Sequence, residues 1–281
     1  KKNGAKAIVQ IHHGGAQALP ELTPDGDVVA PSAISLKSFG QQEEHDAREM
    51  TAEEIEQTIR DFGEATRRAI EAGFDGVEIH GANHYLIHQF VSPYYNRRND
   101  VWADNYKFPV AVIDEVVKAK KAHANDDFII GYRLSPEEAE SPGISMEITE
   151  ELIHQIANKP LDYIHVSLMD VNSVTREGKY KGENRLELIH QWINGRMPLI
   201  GIGSVFTAED ALNAVENIGV EFVALGREIL LDYDFVAKIK EGREDEIINV
   251  FDPNREDQHY LTPNLWEQFN QGFYPLPRKD K

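Results

Sequence analysis

"TAEEIEQTIRDFGEATRRAIEAGFDGVEIHGANHYLIHQFV", residues 51–91, is a helix, a strand and the opening of a second helix in immediate succession. In its first half Ile55, Ile59, Phe62, Ala65 and Ala69 recur at three-to-four spacing, the apolar stripe of an amphipathic helix. Thr51 with Glu54 three residues on forms a capping box, and Gly73 supplies the stop. The pattern then changes to "DGVEIH", a short β-branched run of the kind that is buried on both faces of a parallel sheet. This strand does not end in an apolar turn. It runs into histidine, asparagine and tyrosine, and residues just past the end of a parallel strand are where α/β enzymes carry their chemistry.

Working outward, similar apolar runs occur at 5–11, 128–133, 162–167, 198–203 and 220–226, with helical patterns between them. A second helix start is Thr207 with Asp210 three residues on. Strand-then-helix alternation without a break predicts βαβ units with helices packed outside one parallel sheet. The fold class expected is α/β, a (β/α)8 TIM barrel. Six units can be counted where closure requires eight, so the first two βα units are expected to lie before residue 1. An open doubly wound sheet is the alternative. One domain is expected over 1–281, with barrel units across 4–240 and a charged, then aromatic, tail over 241–281 that wraps the outside or meets another subunit.

Lys and Arg total 29 against 48 Asp and Glu, for a net charge of −19, a field that repels nucleic acid and anionic membrane. No apolar run approaches the roughly 20 residues that cross a bilayer. The expectation is a soluble, cytoplasmic protein. The chain has no cysteine, which excludes disulfides, thiolate zinc sites and cysteine-held iron–sulfur clusters within these residues; redox chemistry would have to come from a bound cofactor.

The turn after the 75–80 strand offers His80 and Asn83, two neutral donors suited to a carbonyl oxygen that gains negative charge, and Tyr85, a phenol suited to protonating carbon. The plainer reading is a strand-capping histidine and a core tyrosine. His80, His84 and His88 are spaced by four and suggest a metal, but His80 reads as strand and no H-E-x-x-H pattern completes the set, so no metal is assigned. His84 and His88 read as surface or second-layer residues of the following helix. Gln10, at the end of the first strand, carries donors and an acceptor that match a heterocycle edge. Arg133 on the third strand needs either an anion or an ion pair, for which Glu78 is the nearest candidate. Gly203 and Ser204, and Gly226 with Arg227, sit where late strands meet helices, a recurrent phosphate position in barrels.

The stretch "GFDGVEIHGANHYLIHQFVSPYYNRRND" (73–100) resembles the signature of the old yellow enzyme family of FMN-dependent NAD(P)H oxidoreductases. The resemblance extends through "GAKAIVQIHHGG", "GYRLS", "IGIGSVFTAEDA" and "FVALGREILLD", in the family's order, over most of residues 4–240. It implies FMN at the carboxyl ends of barrel strands and NADH or NADPH as electron donor. His80 and Asn83 match the pair that binds a substrate carbonyl or nicotinamide, and Tyr85 the proton donor. Gln10 and Arg133 match contacts to the flavin's pyrimidine side, and Gly203, Ser204, Gly226 and Arg227 the phosphate cradle. The sequence departs from the family at His84, where relatives often have Gly, at Ala16, where many have Arg, in a shortened loop after Asp100, and at His12 near the pocket wall. The single-domain class it resembles reduces activated alkenes, small molecules, and a homo-oligomer is a possible assembly. A metal-dependent hydrolase using the His80/His84/His88 region and a non-catalytic barrel are the rival readings.

Overall fold

The computed structural model describes residues 2–259 and 261–279. They fall into two compact units, Lys1–Ser167 with Val174–Ile200, and Leu168–Ser173 with Gly201–Lys281.

The first unit is built on parallel strands β1 (Ile8–Ile11), β5 (Gly76–Gly81), β6 (Ile129–Leu134) and β7 (Tyr163–Val166), adjacent in that order, with the start of β8 (Leu199–Ile202) following β7. Helices α1 (Ala52–Glu71), α2 (Leu86–Val91), α3 (Lys107–His123), α4 (Met146–Ile156) and α5 (Arg185–Ile193) connect them. The capping box of α1 is present: Glu54 N–H donates to Thr51 Oγ1 at 3.2 Å, and Thr51 N–H to Glu54 Oε2 at 2.8 Å. Its buried stripe holds Ile55, Phe62 and Ala69 as expected, but Thr58 and Thr66 take the places expected for Ile59 and Ala65. Their hydroxyls donate to the carbonyls of Glu54 and Phe62 one turn earlier, so polar side chains enter the packed face without an orphaned O–H.

Parallel pairing sets the register that builds the site. Gln10 pairs with Glu78, Glu78 with Gly131 and Gly131 with Tyr163, while His80 pairs with Arg133 and Arg133 with His165. Because side chains alternate along a strand, these polar residues share one face. The opposite face carries Val77, Ile79, Ile130, Tyr132, Ile164 and Val166, all essentially buried. Each strand therefore has an apolar side toward the core and a polar side, an alternation that a reading as uniformly buried strands does not separate.

A small second sheet lies between β1 and α1 in the chain and was not expected from the sequence. It comprises β2 (Val29–Ala30), β3 (Ile34–Leu36) and β4 (His45–Glu49), in the order β2-β4-β3, around a cluster of Ala16, Val28, Ala30, Ala47 and Tyr95. Strands of two and three residues carry too little periodicity to be seen.

The second unit contains the end of β8, α6 (Ala208–Asn213), β9 (Phe222–Ala224), α7 (Arg227–Leu231), α8 (Phe235–Lys240) and α9 (Pro263–Asn270). The Thr207–Asp210 capping box is formed. Within this unit the tail supplies a core of its own: Phe251 and Phe269 pack with Leu231, and with Phe206, Trp266 and Tyr274 around them.

Candidate active site

Strand β5 ends at Gly81, where a Cβ would collide with the Tyr132 hydroxyl. The chain then reverses through Asn83 and His84, with φ of 57° and 59°, a left-handed pair that Asn tolerates better than most residues. Tyr85 is the N-cap of α2, and Leu86 N–H donates to the carbonyl of His13 at 3.0 Å, tying the turn to the end of β1.

The turn brings the expected residues together. The rings of His80 and Tyr85 lie 5.2 Å apart. Asn83 is held through its peptide N–H and its amide oxygen: the N–H donates to Ser135 Oγ at 3.0 Å, and Oδ1 accepts from Ser135 at 3.3 Å and Ser167 at 3.0 Å. With the amide oxygen occupied by two hydroxyls, the Nδ2 donor is the group left for a ligand. Arg133 donates to the same Ser167 at 3.1 Å, so one hydroxyl couples Arg133 to Asn83.

His80 is buried, and its Nδ1 has no partner. Burial, followed by the positive charge of Arg133, pushes its pKa down to about 4. It is neutral at physiological pH, with one N–H donor and one acceptor. Arg133 does not pair with Glu78 as the simplest alternative required. Its Nε is buried without a partner, and burial lowers its pKa. Glu78 is taken by other groups: Gln10 Nε2 donates to Oε1 at 2.6 Å, and His165 Nδ1 and the Tyr163 hydroxyl meet Oε2 at 2.9 and 3.1 Å. Burial alone would raise the Glu78 pKa, but the bonds from His165, Gln10 and Tyr163 outweigh it and hold the carboxyl below its ordinary value. Gly131 is required here, because a Cβ at that position would run into the Tyr163 ring that reaches across to Glu78.

Beside Tyr85 stand His12, whose ring is 5.0 Å away, and the largely exposed Phe39, 6.4 Å away. Phe39 comes from the unread segment around the small sheet, and Ser135, Ser167 and Glu78 are further residues that sequence reading passed over. Hydroxyls that act by holding another side chain leave no pattern in a single sequence. Ala16 is fully buried, its N–H donating to Gln89 Oε1 at 3.1 Å. His84 and His88 share a carboxylate, Glu138. His88 is completely buried, which fits the second-layer placement and not the surface one.

In the second unit, Gly203 has φ 129°, and a Cβ there would come within 2.5–2.8 Å of the Leu168–Asp170 backbone. Ser204, at φ 51°, donates to the carbonyl of Met169 at 2.8 Å. Arg227 donates to the same carbonyl at 2.8 Å, to Ser204 Oγ at 3.1 Å and to the carbonyl of Pro275 at 3.0 Å. No carboxylate pairs with Arg227 among the described residues, so its positive charge is held by neutral oxygens only. Gly226 is exposed, and a Cβ at that position would approach nothing closer than Ile202 Cδ1, at 3.8 Å.

A parallel α/β sheet with neutral and cationic donors gathered at its strand ends, in a chain without thiols, defines a cofactor-dependent α/β enzyme. Residues 1–246 match the family model described as NADH:flavin oxidoreductase / NADH oxidase, and the chain belongs to that family, which is FMN-dependent and uses NADH or NADPH as electron donor. It is 49% identical over 278 residues to the Bacillus subtilis (strain 168) protein named "Probable NADH-dependent flavin oxidoreductase YqiG", covering 97% of this chain and 73% of that one. It is 40% identical over 276 residues to the NADH:fumarate oxidoreductase of Klebsiella pneumoniae (strain 342), covering 95% of this chain and 29% of that much longer one. Morphinone reductase in complex with tetrahydroNAD has the same fold, with a TM-score of 0.69 at 22% identity over 99% of this chain and 74% of its own. The expected α/β class, with a parallel sheet like that of TIM-barrel old yellow enzymes, is thus the one found.

Proposed function

We propose that the chain holds FMN and passes reducing equivalents from NADH or NADPH to the C=C bond of α,β-unsaturated carbonyls or similar electrophiles. The observation that carries this reading is the set of nitrogens without partners at the ends of β5 and β6: buried His80 Nδ1, buried Arg133 Nε and the Nδ2 of an Asn83 whose oxygen is already occupied.

The residues present fit the flavin. Arg133, with an orphaned N–H and a charge opposed by burial, suits a partially negative heteroatom at the pyrimidine edge; Gln10, two strands away on β1, is assigned to the same edge through its amide, whose Nε2 donates to Glu78. Gly203, Ser204, Gly226 and Arg227 are assigned to the phosphate; a cation held by neutral oxygens, without a carboxylate partner, suits a dianion. Bound FMN would supply hydride transfer through N5.

The chain's own groups then have separate tasks. His80, neutral because burial keeps it so, and Asn83, aimed by Ser135 and Ser167, would donate hydrogen bonds to the substrate's carbonyl oxygen, which gains negative charge as the β-carbon is reduced. Tyr85 would deliver its phenolic proton to the α-carbon. His12 and Phe39 would close the wall around that phenol. The test is a His80→Ala/Asn83→Ala double variant titrated with a para-substituted phenol. Phenol affinity should fall about 100-fold, the loss of two hydrogen bonds to a charged oxygen, while FMN stays bound. Unchanged phenol affinity would remove the proposed role of the pair.

A further inference from the structure

Outside the carbonyl pocket, one cluster of ligating side chains has no task in the chemistry above. His84 Nδ1, His88 Nε2 and a Glu138 carboxylate oxygen all lie within 4.8 Å of one another. Glu138 is fully buried as a side chain, and its Oε1 is fixed by Ile144 N–H at 2.7 Å and by the Ser92 hydroxyl. That leaves Oε2 directed at the histidines, 2.7 Å from His88 Nε2 and 3.6 Å from His84 Nδ1. No Lys or Arg side chain pairs with this carboxylate among the described residues; its ion partners are the two imidazoles. His84 reaches the cluster from a left-handed backbone at φ 59°, a conformation that costs a non-glycine residue about 1–2 kcal/mol. Its side chain remains 24% exposed, which leaves one side of the cluster open to solvent, while the hydroxyl of the buried Tyr95 lies 3.4 Å from Nδ1.

We propose that His84 Nδ1, His88 Nε2 and Glu138 Oε2 form a binding site for a divalent cation of the zinc class, in which His80 is not a ligand. Two imidazoles and one carboxylate are a borderline-soft donor set, and three protein ligands with an open fourth position match tetrahedral zinc. Bonds of about 2.0–2.1 Å put tetrahedral ligands roughly 3.3 Å apart. The 2.7 Å His88–Glu138 contact must therefore open by roughly half an ångström, and the 3.6 Å His84–Glu138 separation must close slightly. The bonds to Glu138 Oε1 are the outer-shell support that keeps a ligating carboxylate in place. Since His84 lies between Asn83 and Tyr85, an ion here would stiffen the turn that carries both.

The test is calorimetric titration of chelator-treated, full-length protein with zinc chloride, with thermal unfolding alongside. The wild type should bind one equivalent saturably, and its Tm should rise with zinc concentration as mass action requires. His84→Ala and Glu138→Gln should each weaken binding about 100-fold, at or beyond the loss seen when only outer-shell partners are removed. His154→Ala, at an exposed helix position, and His80→Ala should bind as the wild type does. X-ray absorption at the zinc edge should count two imidazoles. Should Glu138→Gln fail to fold, the partly exposed His84 carries the test alone. Absence of saturable binding, or binding that His84→Ala leaves unchanged, would overturn the proposal. None of these outcomes depends on flavin loading or turnover.

Discussion

The turn after β5 and the turn after β8 are both strained and both assigned to recognition, yet they are built differently. After β5 the work falls to side chains: His80 and Arg133 keep buried nitrogens without partners, and Asn83 is aimed by two hydroxyls. After β8 the polar side chain is already satisfied, Ser204 meeting the Met169 carbonyl together with Arg227 from the start of α7, and the distinctive feature is backbone that leaves no room at Gly203. A site of the first kind loses chemistry when a side chain is removed and keeps its fold. A site of the second kind loses fold and ligand together when an atom is added.

The largest effect expected from this contrast is at Tyr85. Tyr85→Phe should slow the alkene half-reaction about 1,000-fold, within the usual range for removing a general acid, while flavin reduction by NADH changes little. Stopped-flow traces of the two half-reactions check this, and equal slowing of both would argue against a proton donor. Next come the two glycines of the second unit. Gly203→Ala forces a Cβ into backbone and should cost about 1–3 kcal/mol, lowering Tm by several degrees and weakening FMN retention. Gly226→Ala, with φ −104° and open space, should unfold within about a degree of the wild type. If the two behave alike, the backbone account of the turn at Gly203 is wrong.

The smallest effects are in pH dependence, where the two regions differ in sign. His80 has its pKa lowered from 6.5 to about 4 by burial, so the unfolded chain binds more protons between those values and stability should fall as pH drops through that window. Glu228 in α7 is buried with both oxygens unpartnered, and burial, then the charge of Asp232, raises its pKa to about 8. There the folded chain binds more protons, and stability should fall as pH rises from 4.5 to about 8. Glu228→Gln should therefore raise Tm by about 2–4 °C at pH 8, for a gain near 1 kcal/mol, and much less at pH 4.5. Thermal melts across pH measure both slopes; a Tm gain at pH 8 no larger than at pH 4.5 would remove the Glu228 account.

Much of this was legible in the sequence because it rests on local rules. All six strands and both capping boxes lie where periodicity and caps put them. His80, Asn83 and Tyr85 come together because only a few residues separate them along the chain. What could not be read are contacts made by register across 50 or more residues. Ser135 and Ser167 on Asn83, and Tyr163 and His165 on Glu78, follow from which strand lies beside which. For the same reason the histidines' carboxylate leaves no local sequence signal: Glu138 arrives from 50 residues beyond His88, outside any helical motif.

The most direct measurement of the account is anaerobic mixing of NADH-reduced, FMN-loaded protein with 2-cyclohexen-1-one while the flavin's visible band is followed. The band should return with saturable dependence on the enone, and the saturated alkene product should form in step with it. A flavin that NADH reduces but no activated alkene reoxidises would contradict the assignment of His80, Asn83 and Tyr85.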